Sequence, residues 1–183
     1  MLKFASEPLM REERPIFAES FFQIRPRRIF QALFFYYHDP AQNYFYLKET
    51  GALKGEIEVI RQNLQAFIDA DALWVNDRKT RMLISQIQLE FRKNRRIFPY
   101  LNFKIQSEPY ILQDGKINKI HLYAKPEDLA YPAISCWQTT IGLINSVISR
   151  SFHQLSLDKT RVTFYMSKGD IVGGDEQIFI DLT

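Results

Sequence analysis

Apolar residues recur at Ile134, Trp137, Ile141, Ile144, Ile148, Phe152 and Leu155. Steps of three and four keep them on one side of a 3.6-residue helix, so the spacing predicts a long helix over 133–155. Ala133, Cys136, Leu143 and Val147 widen the apolar side, and Tyr131-Pro132 suits a helix start. The opposite flank carries Ser135, Thr139, Gly142, Ser146 and Ser149, and no Lys, Arg, Asp, Glu or His occurs between residues 129 and 149. A helix face in water normally carries charge, so both flanks are expected to be covered. Three kinds of cover fit: a second layer of the same chain, a two-fold subunit interface, or a ligand pocket.

The same patterning places the other elements. Ile57, Ile60, Leu64, Phe67 and Ile68 share one face of an amphipathic helix over 55–70, with Glu58, Arg61, Gln62 and Gln65 opposite. A short strand is expected over 17–24. Residues 29–37 and 43–48 flank the turn-forming 38–42 and read as a hairpin. Further strands are expected over 73–75, 82–92 and 100–105. Asp114-Gly115 is a two-residue hairpin signal joining 110–113 to 116–124, and strands over 161–166 and 177–182 close the chain. Pro8, Pro15 and alternating charge make residues 1–16 a tail or edge segment, leaving 17–183 as one domain. The expected class is α+β: a largely antiparallel sheet with two main helices, in an order that allows a ββαββ pseudo-repeat.

Composition narrows the setting. The chain has 183 residues, 46% hydrophobic and 25% charged, with Phe 15, Tyr 9 and Trp 2. That is a globular profile with aromatics for a large core or a binding surface. One cysteine excludes an internal disulfide framework and fits a reducing, cytoplasmic setting. The first residues hold acids and no sustained apolar run, so neither a signal peptide nor a membrane anchor is expected. Net charge is +3, and the excess lies in residues 1–96. Three clusters supply it: Arg25/Arg27/Arg28, Arg78/Lys79/Arg81 and Arg92/Lys93/Arg95/Arg96.

Chemistry-bearing residues form no motif. Cys136 has no base beside it in sequence and reads as a buried thiol. His38, His121 and His153 lack metal-ligand spacing. Lys119, His121 and Tyr123 would share one face of a strand, an arrangement open to acid–base work or to none. The loop 168–176 holds glycines with Asp170, Asp175 and Glu176; the acids would repel phosphate, and a hairpin connection explains it better than a cation site. No metal or cofactor is therefore expected. The leading expectation is a non-catalytic interaction or assembly module that forms a homo-oligomer, a dimer, or meets a protein partner through Ser135, Thr139, Gly142, Ser146 and Ser149. Two rivals stay open. One is nucleic-acid binding through the basic turns, with Phe21, Tyr36, Tyr44 or Tyr46 stacking bases. The other is an enzyme whose site is assembled from distant residues.

Overall fold

The computed structural model describes residues 13–182. Among them are twelve strands, two α-helices and one 3-10 turn, in two sheets. The class is α+β with mostly antiparallel pairing, as the patterning indicates, but two elements differ in kind.

The chain starts with a long hairpin of β1 (Arg14–Ile24) and β2 (Ile29–His38). Residues 43–48, expected as the hairpin partner of β2, instead form helix α1 (Asn43–Glu49). The reason is Asp39. Its carboxylate is fully buried and accepts from the backbone N–H of Asn43 and of Tyr44, both at 3.0 Å. An acid satisfied by the free amides of a first turn stabilises a helix start. Helix α2 (Leu53–Ala70) follows, burying Ile60 and Leu64 on the expected face.

Next come β3 (Ala72–Val75), β4 (Arg78–Thr80), β5 (Met82–Phe91), a 3-10 turn at Arg92–Asn94, β6 (Pro99–Ser107) and β7 (Ile117–Asp128). Asp114-Gly115 does turn the chain, but residues 110–113 form no strand. The buried Asn118 side chain takes their place, bonding both backbone groups of Gln113 and the carbonyl of Lys116.

The long helix over 133–155 does not exist. Its residues form β8 (Ala133–Thr139), β9 (Leu143–Ile148) and β10 (Phe152–Leu155). The missing helix also removes the second half of the ββαββ repeat. The segment is rich in Ile, Val, Thr, Phe and Trp, whose branched or aromatic side chains suit a pleated surface. Gly142 lies at the corner where the chain leaves one sheet for the other. A Cβ there would sit 2.2 Å from the backbone oxygen of Asp181, so only glycine fits. Strands β11 (Arg161–Met166) and β12 (Ile171–Asp181) complete the chain.

The seven-stranded sheet runs β10-β11-β8-β1-β2-β6-β5, and the five-stranded sheet β4-β3-β7-β12-β9. Among the described strands only β1 with β8 is parallel; Phe22 lies beside Trp137 there and their rings stack at 3.7 Å. The inner faces carry the core, including Leu101, Phe103, Ile105, Val162 and Phe164 from the larger sheet and Ile120, Ile178 and Ile180 from the smaller. Helix α2 also guards the free edge of β5. The Gln65 amide donates to Met82 O at 2.9 Å and accepts from Ile84 N at 3.0 Å, as a neighbouring strand would. Of residues 1–16, expected as a tail or edge segment, Arg14 to Ile16 belong to β1, and 1–12 lie outside the described residues.

Candidate functional site

Between the sheets lies a cleft of about 1250 Å³. Strand alternation builds its floor. Ala18, Ser20 and Phe22 of β1, Gln31, Leu33, Phe35 and Tyr37 of β2, and Ala133, Ser135 and Trp137 of β8 turn the same way. The facing wall is Leu64, Phe67 and Ile68 of α2, Leu73 of β3 and Leu122 of β7. The space exists because four neighbouring floor positions are small: Ala18, Ser20, Ala133 and Ser135. Close packing is the rule in interiors, so a hollow of this size between apolar walls is the candidate site of the molecule. One polar strip crosses the floor, where Gln31 Nε2 donates to Ser20 Oγ at 2.9 Å.

The rim is acidic. Glu13, Asp71, Glu127 and Asp128 line it, against Arg14 nearby and Lys79 and Arg81 farther along. Arg81 is taken up by Asp69, at 2.6 Å. Burial and the neighbouring Glu127 push the Asp71 carboxyl up to about 6. Burial, with Glu127 again contributing, pushes Tyr131 up to about 12. Tyr37 is also pushed up, by burial first and then by Tyr131 and Glu13. The lining therefore holds more carboxylates than cations beside an apolar hollow, in a chain whose net charge is +3.

The residues expected to form one interface are dispersed. Ser135 is on the cleft floor. Thr139 is buried, and its hydroxyl accepts from Ile141 N at 3.3 Å. Gly142 is the corner. Ser146 is exposed on the edge strand of the other sheet, and Ser149 donates to Glu176 Oε1 at 3.2 Å. Without the helix these five share no face.

The basic clusters separate as well. Arg25, Arg27 and Arg28 lie in the turn joining β1 to β2, at one end of the larger sheet. Arg25 and Arg27 are exposed there, and the backbone carbonyl of Arg27 accepts from Tyr110 N at 3.0 Å. Arg28 is partly buried and donates to Ser107 O at 3.0 Å. Arg81 lies beside the adjoining start of β5. The turn holding Arg92, Lys93, Arg95 and Arg96 joins β5 to β6 at the other end, about 30 Å away by strand length. Arg96 covers the Phe45 ring at 3.9 Å. The side chains of Tyr36, Arg92, Lys93 and Arg95 surround a smaller hollow of about 300 Å³. The two turns expected to act together, Arg25/Arg27/Arg28 and Arg92/Lys93/Arg95/Arg96, therefore form no single basic patch, because antiparallel strands put successive turns at opposite ends of a sheet. Of the aromatics expected beside them, Tyr44 is buried and has no free ring face, whereas Phe21 and Tyr46 are exposed.

Lys119, His121 and Tyr123 do share the outer face of the smaller sheet, and Ile120 and Leu122 alternate inward. His121 stacks on Trp74 at 4.8 Å and bonds Asp175 at 2.8 Å. These contacts lie outside the cleft. Of the loop acids, Asp170 accepts from Ser167 N at 2.7 Å, and burial raises Glu176. Among the described residues no three His, Cys, Asp or Glu side chains gather where they could hold a metal ion. Cys136 is half-buried rather than buried. No helix among the described residues is long and apolar enough to cross a membrane.

Sequence reading missed the cleft because its floor joins β1 and β2 to β8, more than one hundred residues later in the chain. The signal was present in two places: alternating small residues at Ala18 and Ser20, and again at Ala133 and Ser135. No protein-family model matches the chain, and no curated protein matches it. Among solved structures, native yeast LTA4 hydrolase aligns with 94% of this chain at 8% identity and a TM-score of 0.34. The chain spans 29% of that protein's length, and so low a score carries no argument about fold or activity.

Proposed function

We propose that the protein is a non-catalytic binding module whose inter-sheet cleft takes an amphipathic ligand, apolar along its length and positively charged at one end. The observation that supports this is the cleft itself: a hollow of about 1250 Å³ with apolar walls and an acidic rim. Apolar walls favour burial of hydrocarbon at roughly 25 cal/mol per Å². Asp71, Glu127 and Asp128 favour a cation at the mouth.

Single-chain amphiphiles of equal tail length test it: dodecyltrimethylammonium, a neutral dodecyl glycoside and dodecyl sulfate, each below its micelle concentration. The cationic probe is expected to raise Tm and change tryptophan fluorescence, to which the cleft residue Trp137 contributes, at the lowest concentration, the anionic one at the highest. Ser135→Phe fills the floor and is expected to abolish both responses while the fold, read by circular dichroism, persists. If no probe binds, or binding survives Ser135→Phe in a folded protein, the proposal fails.

Self-association belongs to the same proposal, as a property of the module rather than of a helix face. Its support is the exposed apolar side chains Leu143, Ile148 and Phe152 along β9 and β10.

A further inference from the structure

Among the described residues, the face of the seven-stranded sheet turned away from the cleft carries neither helix nor second sheet. Both helices pack on the inner side, α2 through Leu64 and α1 through Phe45 against Phe91. Alternation sends Phe17, Glu19 and Phe21 of β1, Phe30, Phe34 and Tyr36 of β2, and Tyr100 and Lys104 of β6 outward.

An outward sheet face in water is normally polar. This one is aromatic across three adjacent strands. Ring centroids lie 6.2 Å apart for Phe21 and Phe34, 6.4 Å for Phe34 and Tyr100, 5.7 Å for Tyr36 and Tyr100, and 6.0 Å for Phe17 and Tyr36. The Tyr36 and Tyr100 hydroxyls donate to Glu19 and Glu90, which fixes both rings. Phe21 is 45% exposed, well above the norm for so large an apolar group. A second pair, Phe152 and Tyr165 at 6.0 Å, continues the face toward its far edge.

Cations surround these rings. Arg25 lies over Phe30 at 4.8 Å. Arg92 is close enough to Tyr36 to act on its hydroxyl. Lys104 and Arg161 project from the sheet itself, and Lys93 and Arg95 border the hollow beside Tyr36. Against these cations stand Glu19 and Glu90, each already accepting a tyrosine hydroxyl, and Asp158, which lies near enough to Arg161 to interact with it but already accepts from Ser156 and Thr160. An exposed Phe21 beside the partly exposed rings of Phe34 and Tyr100, with cations at both ends, is complementary to one ligand chemistry: flat, unpaired bases on an anionic backbone.

We propose that this outer face binds single-stranded nucleic acid. Bases stack on Phe21, Phe34 and Tyr100, and phosphates meet Arg25, Lys104 and Arg161. The separation of the basic turns, which argues against one compact basic patch, suits a strand laid across the sheet from one end to the other. A duplex is disfavoured, because its bases are already stacked and paired and only its phosphates can meet the cations. The binding is independent of the cleft and of any ligand there.

Fluorescence anisotropy of the purified chain tests this, with end-labelled oligo-dT and oligo-U of about 20 nucleotides and a duplex of equal length. Both single strands are expected to bind at low salt and the duplex at least tenfold more weakly; the two single-strand arms separate RNA from DNA preference. Phe21→Ala is expected to weaken binding about tenfold with the salt dependence unchanged, as loss of one stacking platform predicts. Lys104→Glu is expected to lower the slope of log affinity against log salt by about 0.7 or more. Both positions are exposed enough for the fold to persist, which thermal melting checks. No binding at low salt, equal binding of duplex, or indifference to Phe21→Ala each overturns the proposal.

Discussion

At the scale of single residues, Asp71 is the group most altered by its surroundings. Its carboxyl stands at about 6 against the usual 3.8, raised by burial and then by Glu127. A raised carboxyl binds its proton more tightly in the folded state than in the unfolded one. Its contribution to stability is thus complete below pH 4 and is lost as pH rises through about 6. The full shift corresponds to about 3 kcal/mol, and partial exposure at the rim reduces this to about 1–2 kcal/mol. Asp71→Asn is therefore expected to stabilise the free protein by that amount at pH 7 and to leave it unchanged near pH 4. Urea unfolding of both proteins at the two pH values measures it. A cation held at the rim acts in the opposite direction, favouring the ionised carboxylate, so the cationic amphiphile should bind more tightly above pH 6 than below. Asp39 shows a contrasting use of an acid. It is more deeply buried, yet two helix amides meet its oxygens.

At the scale of elements, the corner between β8 and β9 controls how the sheets join. Gly142 abuts the backbone of β12, which cannot move aside without breaking its pairing with β9. Gly142→Ala is expected to cost more than about 2 kcal/mol, read as a lowered Tm, and to act as a folding defect rather than an assembly defect. The corner also explains why this region misled the helical reading. Ile134, Trp137, Ile141 and Ile144 satisfy steps of three and four, but Ser135, Trp137 and Thr139 also alternate with Ile134, Cys136 and Gln138. Short uncharged strands meeting two faces of a protein mimic a helix covered all round. The inference that residues 129–149 avoid water was sound in part: β8 is central, and Trp137 and Thr139 are buried. It was unsound for β9, an edge strand whose Ser146 is exposed. Helix α2 was legible because its charged back distinguishes it from any strand. Helix α1 was not, since Tyr44, Phe45 and Tyr46 read locally as strand and the deciding interaction comes from Asp39. The cleft was illegible for another reason. It depends on which strands become neighbours, a fact local periodicity does not contain.

At the scale of the whole molecule, the two sheets leave two unlike surfaces: a hollow with an acidic rim and a partly exposed aromatic face with basic ends. Opposite potentials on opposite sides of one sheet invite copies of the chain to associate front to back, at low salt especially. Sedimentation velocity is expected to show self-association that weakens as salt is raised. The exposed Leu143, Ile148 and Phe152 offer an alternative contact that salt would strengthen. A monomer at every salt concentration would remove self-association from the functional proposal and leave both ligand sites standing.

The parallel pairing of β1 beside β8 ties residue 18 to residue 133. During synthesis the first strand must wait for more than a hundred further residues before its second flank is occupied. Until then its open edge and the adjoining Phe22 are available to any other extended chain. Such distant closure predicts slow folding and makes the nascent polypeptide a client for chaperones. A chain released before β8 is made would carry only β1, β2, β6 and β5 of the larger sheet, and the floor of the hollow would lack Ala133, Ser135 and Trp137.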